Sequence, residues 1–366
     1  MTSRRRLLIG AGTALLATGG TTWAGMRGMG SMADRAAAVA AMRTDLSPMP
    51  DMYALIRYAT LAANSHNTQP WLFRIADKKT EVLPDFSRRT PAVDPDDHHL
   101  FASLGCAAEN LSIAANARGI GGRLRFEPAG DGSIIYDVGA RAEPEEALYR
   151  AIPRRQSTRA EYDGTQVGAD DLQALRRAAS IPGVTLVLIS GRAQIDRLRD
   201  LVVAGNETQM ADQAFMSELK TWLRFSPRRA VSTGDGLFGA CSGSPALPEW
   251  LGPLALDLFF TAESESKKYT RQIASSAGIA VFLADKADPE HWVLAGRACQ
   301  RFALQATALG LKHAFLNQPV EVPELRPELA ALAGLPGRRP DIVMRFGRSS
   351  EMPYSARRSV ESVVVT

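Results

Sequence analysis

The feature that most constrains this chain is a repeat inside it. Displaced by 191 positions, Gly105, Ala107, Leu111, Ala115, Ala117, Gly119 and Ile120 fall on Gly296, Ala298, Phe302, Ala306, Ala308, Gly310 and Leu311, and Pro128 falls on Pro319. Both stretches carry apolar residues at three- and four-residue spacing, so each predicts a helix. Each stops at a glycine, and small residues along one face allow two such helices to pack closely. Two unrelated alanine-rich helices agreeing by chance is the competing account. Agreement at both glycines and at the following proline favours an internal duplication.

Residues 134–139 and 342–347 read as corresponding strands, one ending each half, which places the halves at about 51–145 and 146–366. Residues 169–179 and 192–204 have helical character and 185–189 read as a strand. Helices alternating with strands in each half predict an α+β fold of two tandem, duplicated halves. With 366 residues, 45% hydrophobic and 22% charged, the chain can bury a substantial core.

The net charge of +4 comes from the first residues. Removing Arg4, Arg5, Arg6 and Arg27 from 43 basic residues leaves 39, equal to the acidic count, so there is no electrostatic case for nucleic-acid binding. Residues 1–30 resemble a twin-arginine export signal: Arg4-Arg5-Arg6-Leu7-Leu8-Ile9, then a weakly apolar run to residue 25. The alternative, a dinucleotide fingerprint at Gly10-Ala11-Gly12, has only three apolar residues before it and no acid until Asp34. The expectation is passage through the twin-arginine translocase to the periplasm or another extracytoplasmic site. No clean Ala-x-Ala cleavage site is evident, so the leader is either removed or kept as an anchor.

Cys106, Cys241 and Cys299 show no paired spacing for zinc, and Cys106 and Cys299 read as small core residues. Asp94, Asp96 and Asp97 before His98-His99 read as a helix cap rather than a metal site, since adjacent histidines project in different directions.

Between a helical segment and a strand lies Asn64-Ser65-His66-Asn67-Thr68-Gln69-Pro70-Trp71, a polar turn whose amides and hydroxyls suit the edge of a flat heterocycle. The bland account is a helix cap and a turn at Pro70. Ser65, Asn67, Gln69, Pro70 and Trp71 match the Pro-Ser-x-Asn-x-Gln-Pro-Trp pattern of the nitroreductase superfamily of flavin enzymes, with Asn64 at the first Pro. Arg154-Arg155-Gln156-Ser157-Thr158-Arg159 resembles that superfamily's Arg-x-Ser-x-Arg/Lys element. Ala356-Arg357-Arg358-Ser359-Val360-Glu361 resembles its Arg-Arg-Pro-x-Glu tail, with Ser359 in place of Pro.

The resemblance implies a nitroreductase-like fold and FMN as cofactor. It implies that Arg155, Ser157 and Arg159 hold the FMN phosphate, with Arg357 and Arg358 adding cationic contacts. Ser65, Asn67 and Gln69 would face the ring or ribityl chain, and the backbone around Leu316-Asn317-Gln318 would lie near the reactive edge. No catalytic side chain is implied, because the flavin carries the chemistry.

The amide turn occurs only in the first half and the phosphate clamp only in the second. The chain thus resembles the fused, Acg-like branch of the superfamily, an internal pseudo-dimer acting as a monomer with one complete site. Residues 225–260, rich in Gly, Ser and Pro, read as an insertion serving as a lid over the flat ligand; a surface excursion is the alternative. The expected function is reduction of a nitroaromatic, quinone or similar planar acceptor through flavin N5, with a small-molecule donor. The alternative is a protein that sequesters FMN without turnover.

Overall fold

The computed structural model describes residues 28–139 and 143–366; the export signal read over residues 1–30 lies outside them except for its last three positions. Helix α1 (Met32–Ala41) precedes the first half, which contains helix α2 (Met52–Thr60), strands β1 (Trp71–Ala76) and β2 (Lys79–Pro84), helix α3 (His98–Ala117), and strands β3 (Gly122–Glu127) and β4 (Ser133–Val138). Helices α4 (Glu146–Ala151) and α5 (Ala169–Ala178), strand β5 (Val184–Ile189) and helices α6 (Arg192–Ala211) and α7 (Gln213–Trp222) follow. Strand β6 (Leu223–Arg224) leads into the insertion, which holds helix α8 (Pro227–Thr233), strand β7 (Leu237–Phe238) and helix α9 (Gly252–Phe259). The chain then runs through helix α10 (Ala262–Ala274), strand β8 (Gly278–Ala284), helix α11 (Pro289–Ala308), strand β9 (Lys312–Phe315), helices α12 (Gln318–Glu321) and α13 (Arg326–Leu332), and strands β10 (Ile342–Gly347) and β11 (Val364–Val365).

The class is α+β, as the sequence predicts. One sheet has the order β1-β2-β4-β3 and the other β5-β8-β10-β9. Within these four-strand sets every pairing is antiparallel. In each sheet a long helix and an edge strand, α3 with β3 or α11 with β9, intervene between the two central strands. The winding is therefore the same twice over. The chain's end then returns to the first sheet, where β11 pairs in parallel with β1 through Phe73 and Val364.

Helices α3 and α11 pack on each other at the centre, and their bounds differ by 191 at both ends. The contact is reciprocal. A Cβ on Gly105 would lie 2.1 Å from the Val293 carbonyl oxygen, and one on Gly296 would lie 1.9 Å from that of Ala102. Positions 102 and 293, like 105 and 296, are equivalent under the repeat, so the two helices meet through the same patch, as two-fold-related partners do. Glycine at the crossing lets the backbones approach this closely. Apolar side chains fill the space around them: Trp71, Phe73 and Tyr136 in the first half, and Phe282, Phe302 and Phe346, edge to face at 5.7 Å, in the second. Strands β8 and β10 are buried throughout because helices cover both faces of their sheet.

Candidate functional site

The polar turn forms where α2 runs out. Pro70 cannot extend a helix, and the chain reverses through left-handed conformations at His66 (φ 46°), Asn67 (φ 55°) and Gln69 (φ 55°). Each such non-glycine residue costs about 1–3 kcal/mol, so the surroundings must hold it. They do so through hydrogen bonds. Asn64 Oδ1 accepts from the Gln69 N–H at 2.9 Å. Asn67 Nδ2 donates to the carbonyls of Gly236 (3.0 Å) and Ala356 (3.2 Å), while its Oδ1 accepts from Arg357 at 2.6 Å. Gln69 Nε2 donates to the Gly234 carbonyl at 2.8 Å, and its Oε1 accepts from the Arg358 N–H at 2.9 Å.

Beside the turn lies a cavity of about 600 Å³, in the size range of small-molecule sites. Its walls come from the turn, the facing helices α3 and α11, the β9–α12 connection, α10 and the insertion. Phe225, Leu237, Phe238, Leu247, Leu256 and Phe260 of residues 225–260 close one side, giving it an aromatic and aliphatic cover.

Four of the residues that the resemblance assigns to the cofactor border this cavity: Ser65, Arg159, Asn317 and Gln318. Arg159 has no ion-pair partner among the described residues, so its charge is available to a ligand. Asn317 fixes its side chain by accepting from the Val343 N–H at 2.9 Å. Asn67 and Gln69, expected to face a ring, instead latch the base of the insertion and the C-terminal segment. Buried amides require partners, and backbone carbonyls already supply them.

Leu316 sits behind the wall, its N–H donating to Val343. Arg358 turns toward the Gln69 carbonyl (3.2 Å), Asp85 (3.4 Å) and the Ser362 carbonyl (2.9 Å). Ser157 pairs with the backbone of His313. Arg357 is spent on the end of α2, donating to the carbonyls of Thr60 (2.7 Å), Leu61 (3.4 Å) and Ala62 (3.2 Å).

Arg155 differs from these. It is buried and donates one bond, Nη2 to the Leu61 carbonyl at 2.9 Å, while Nε and Nη1 have no partner. Its charged and polar surroundings are Arg43, Arg357, Tyr354 and the thiols of Cys106 and Cys299, the last two on the cavity wall. Arg155 has no ion-pair partner among the described residues. Burial, reinforced by the neighbouring arginines, pushes Arg357 well below the usual guanidinium range and Arg43 down to about 10. Burial also lowers Arg155, and it holds His313 neutral with the help of Arg155.

The cavity's polar floor carries residues whose meeting there is not legible in their local sequence. His99 Nε2 stands 3.4 Å from Glu321, and Gln209 Nε2 donates to the other carboxylate oxygen at 2.6 Å. Burial alone would lower His99, but Glu321 and the carboxylates of Asp94 and Asp96 outweigh it and raise its pKa. Burial would raise Glu321, yet His99 and Gln209 hold it low, so the two form an ion pair. His66 borders the cavity with Nδ1 unpartnered, and burial keeps it neutral. Asp94 caps α3, accepting from the N–H groups of His99 and Leu100 at 2.9 Å each.

No protein-family model matches the chain. Two curated proteins from two strains of Mycobacterium tuberculosis, both carrying NAD(P)H nitroreductase as a provisional name, are each 26% identical over 340 residues. The match covers 89% of this chain and 94% of theirs. Among solved structures, an FMN-dependent nitroreductase from Mycobacterium smegmatis in complex with NADPH overlaps 60% of this chain and 92% of its own, at 15% identity and a TM-score of 0.38. A nitroreductase with bound FMN from Desulfitobacterium hafniense overlaps 57% and 93%, at 15% identity and a TM-score of 0.37. The two curated relatives, matched along nearly the whole chain, both carry nitroreductase names.

Proposed function

We propose that this chain is an FMN-dependent oxidoreductase of the nitroreductase superfamily, moving electrons from a small-molecule donor such as NADH or NADPH to a planar acceptor of the nitroaromatic or quinone type. The observation that carries the proposal is Arg155: a buried cation with no ion-pair partner among the described residues and with two unpartnered nitrogens, behind the wall of a cavity suited to a flat heterocycle. Such a group requires an anion, and the phosphate of FMN fits its donor set.

In this reading Arg155 binds the phosphate, Arg357 and Arg43 add to the positive field there, and Ser65, Arg159 and Asn317 meet the rest of the cofactor from the cavity walls. Bound FMN supplies hydride transfer at N5. The aromatic cover from residues 225–260 excludes water and strengthens every charge interaction beneath it. Sequestration of FMN without turnover has no observation in its favour, and the relatives' names lie with reductases. We further propose export through the twin-arginine translocase to an extracytoplasmic site, with the fused halves working as a monomer; cell fractionation and sedimentation test these two points.

The test of the function is spectroscopic. Protein purified without added cofactor should show a flavin absorption band that bleaches on anaerobic mixing with NADH or NADPH. Failure to bind FMN under titration would sink the cofactor assignment, and a flavin that stays oxidised with both donors would sink the reductase.

A further inference from the structure

We propose that the insertion helix α9 docks this protein on an anionic lipid bilayer. The described residues expose seven large apolar side chains, and four of them, Trp250 (61%), Leu254 (62%), Leu258 (69%) and Phe259 (69%), fall within ten positions. Leu254 and Leu258 are one turn apart on the outward side of α9. Ala255, Leu256, Phe259 and Phe260 border the cavity, Phe259 from its exposed rim, while Leu254 and Leu258 point away from it, so this segment is apolar on both sides. A helix that needed only to cover a cavity would be polar outside. The acids nearby are occupied: Asp257 pairs with Lys220 at 2.7 Å, and Glu249 accepts from the N–H and hydroxyl of Ser226 at 2.8 Å.

The same insertion supplies cations. Arg228 and Arg229 on α8 are exposed and have no ion-pair partner among the described residues. Glu249 bonds Ser226 at the start of α8 and Gly252 abuts the Phe225 ring, which brings the start of α8 next to the segment that carries Trp250 and α9; exposed apolar side chains and free arginines in one such insertion are the surface signature of interfacial binding to anionic lipid. The N-terminal segment joins at the same place, since α1 packs on α8 and Gly30 approaches Arg228 so closely that a Cβ there would lie 2.9 Å from the arginine's own. Residues 1–27, with their apolar run, therefore enter the described chain beside the insertion. No described helix is long and apolar enough to cross a membrane.

Two other occupants fit less well. A second copy meeting this face across a two-fold would set Arg228 and Arg229 near their own counterparts. The leader's apolar run would bring Arg4, Arg5 and Arg6 toward the same arginines.

The experiment uses the full chain with phosphatidylglycerol–phosphatidylcholine vesicles whose acyl chains are brominated, and reads tryptophan emission. Trp250→Phe is the comparison, with its unfolding midpoint measured to establish an intact fold. Wild type should lose a component of emission that Trp250→Phe lacks. That component should shrink several-fold with pure phosphatidylcholine and in Arg228→Ser/Arg229→Ser. Equal quenching in wild type and Trp250→Phe would mean that the leader alone reaches the lipid, which overturns the proposal. Absence of quenching also overturns it: concentration-dependent dimers abolished by Leu254→Asp/Leu258→Asp would then assign the face to a second copy, and a monomer with shielded Trp250 would assign it to the leader.

Discussion

Arg155 and Arg357 donate to the same acceptor, the carbonyl oxygen of Leu61, at 2.9 and 3.4 Å. That carbonyl belongs to the end of α2, where unpaired C=O groups and the helix dipole present about half a negative charge. Arg357 is saturated there by four backbone carbonyls and Asn67, whereas Arg155 keeps Nε and Nη1 without partners. Two buried cations around half a counter-charge leave a local excess that only an anion can complete.

The first prediction separates cost from use. Arg155→Met removes two unsatisfied buried nitrogens and leaves the Leu61 carbonyl bonded to Arg357, so the FMN-free protein should become more stable, by about 1–3 kcal/mol. The same change removes charge-assisted bonds of roughly 1.5–3 kcal/mol to the phosphate, which weakens FMN binding about 10- to 150-fold. Thermal unfolding without FMN and fluorescence titration with it measure the two effects. Unaltered affinity would remove Arg155 from the site.

The second concerns the crossing of α3 and α11. Gly105→Ala and Gly296→Ala each drive a methyl group into a carbonyl of the facing helix and should cost about 1–3 kcal/mol or more, to similar extents. The double variant should cost less than the sum, because helices already pushed apart by one methyl accommodate the other. Denaturant midpoints check this. One silent glycine would argue against a reciprocal contact.

Why the duplication was legible and much of the site was not follows from the range of the causes. Small residues on a helix face and a glycine stop are local requirements, so the repeat could be read from 105–120 and 296–311 directly. The density of amides at 64–69 was equally visible, but not their partners: Asn67 and Gln69 bond to carbonyls 169 and 165 positions away. From sequence alone, an amide waiting for a ligand and one latching a loop look identical. Arg357 misled for the same reason, since the open carbonyls at the buried end of α2 are not written in its neighbours. His99 and Glu321 meet only because α12 follows β9 across the cavity, and the left-handed turn that sets His66 there carries no glycine to announce it.

The third prediction is a pH dependence. His99 has its folded pKa raised above 6.5, so its contribution is fully present below 6.5 and is lost as pH rises through the higher folded value. Glu321 has its folded pKa depressed below 4.5, so its contribution is present above 4.5 and is lost as pH falls through the lower value. The pair therefore stabilises most between those two values. His66, His98 and His313, kept neutral chiefly by burial, act oppositely and cost stability as pH falls below 6.5. His99→Gln, compared with wild type, should remove a loss of stability on the alkaline side while leaving the acid fall from those three in place. Parallel stability–pH curves for the two proteins would show that no His99–Glu321 ion pair exists.

Gln69 offers the sharpest distinction between a ligand contact and a latch. Its side chain is fully buried and makes three bonds: to the Gly234 and Asn67 carbonyls and from the Arg358 N–H. Gln69→Ala strands these groups, at about 1–3 kcal/mol for each buried one left unpaired, and keeps a Cβ at φ 55°. Gln69→Gly strands the same groups without the Cβ, so it should be the more stable of the two by about 1–2 kcal/mol, the usual left-handed penalty. In both variants the base of the insertion loses its tether at Gly234 and keeps only the Asn67 bonds to Gly236, and limited proteolysis between 234 and 260 should quicken. Were Gln69 instead a direct FMN contact, cleavage and stability without cofactor would match wild type, and only flavin affinity would fall.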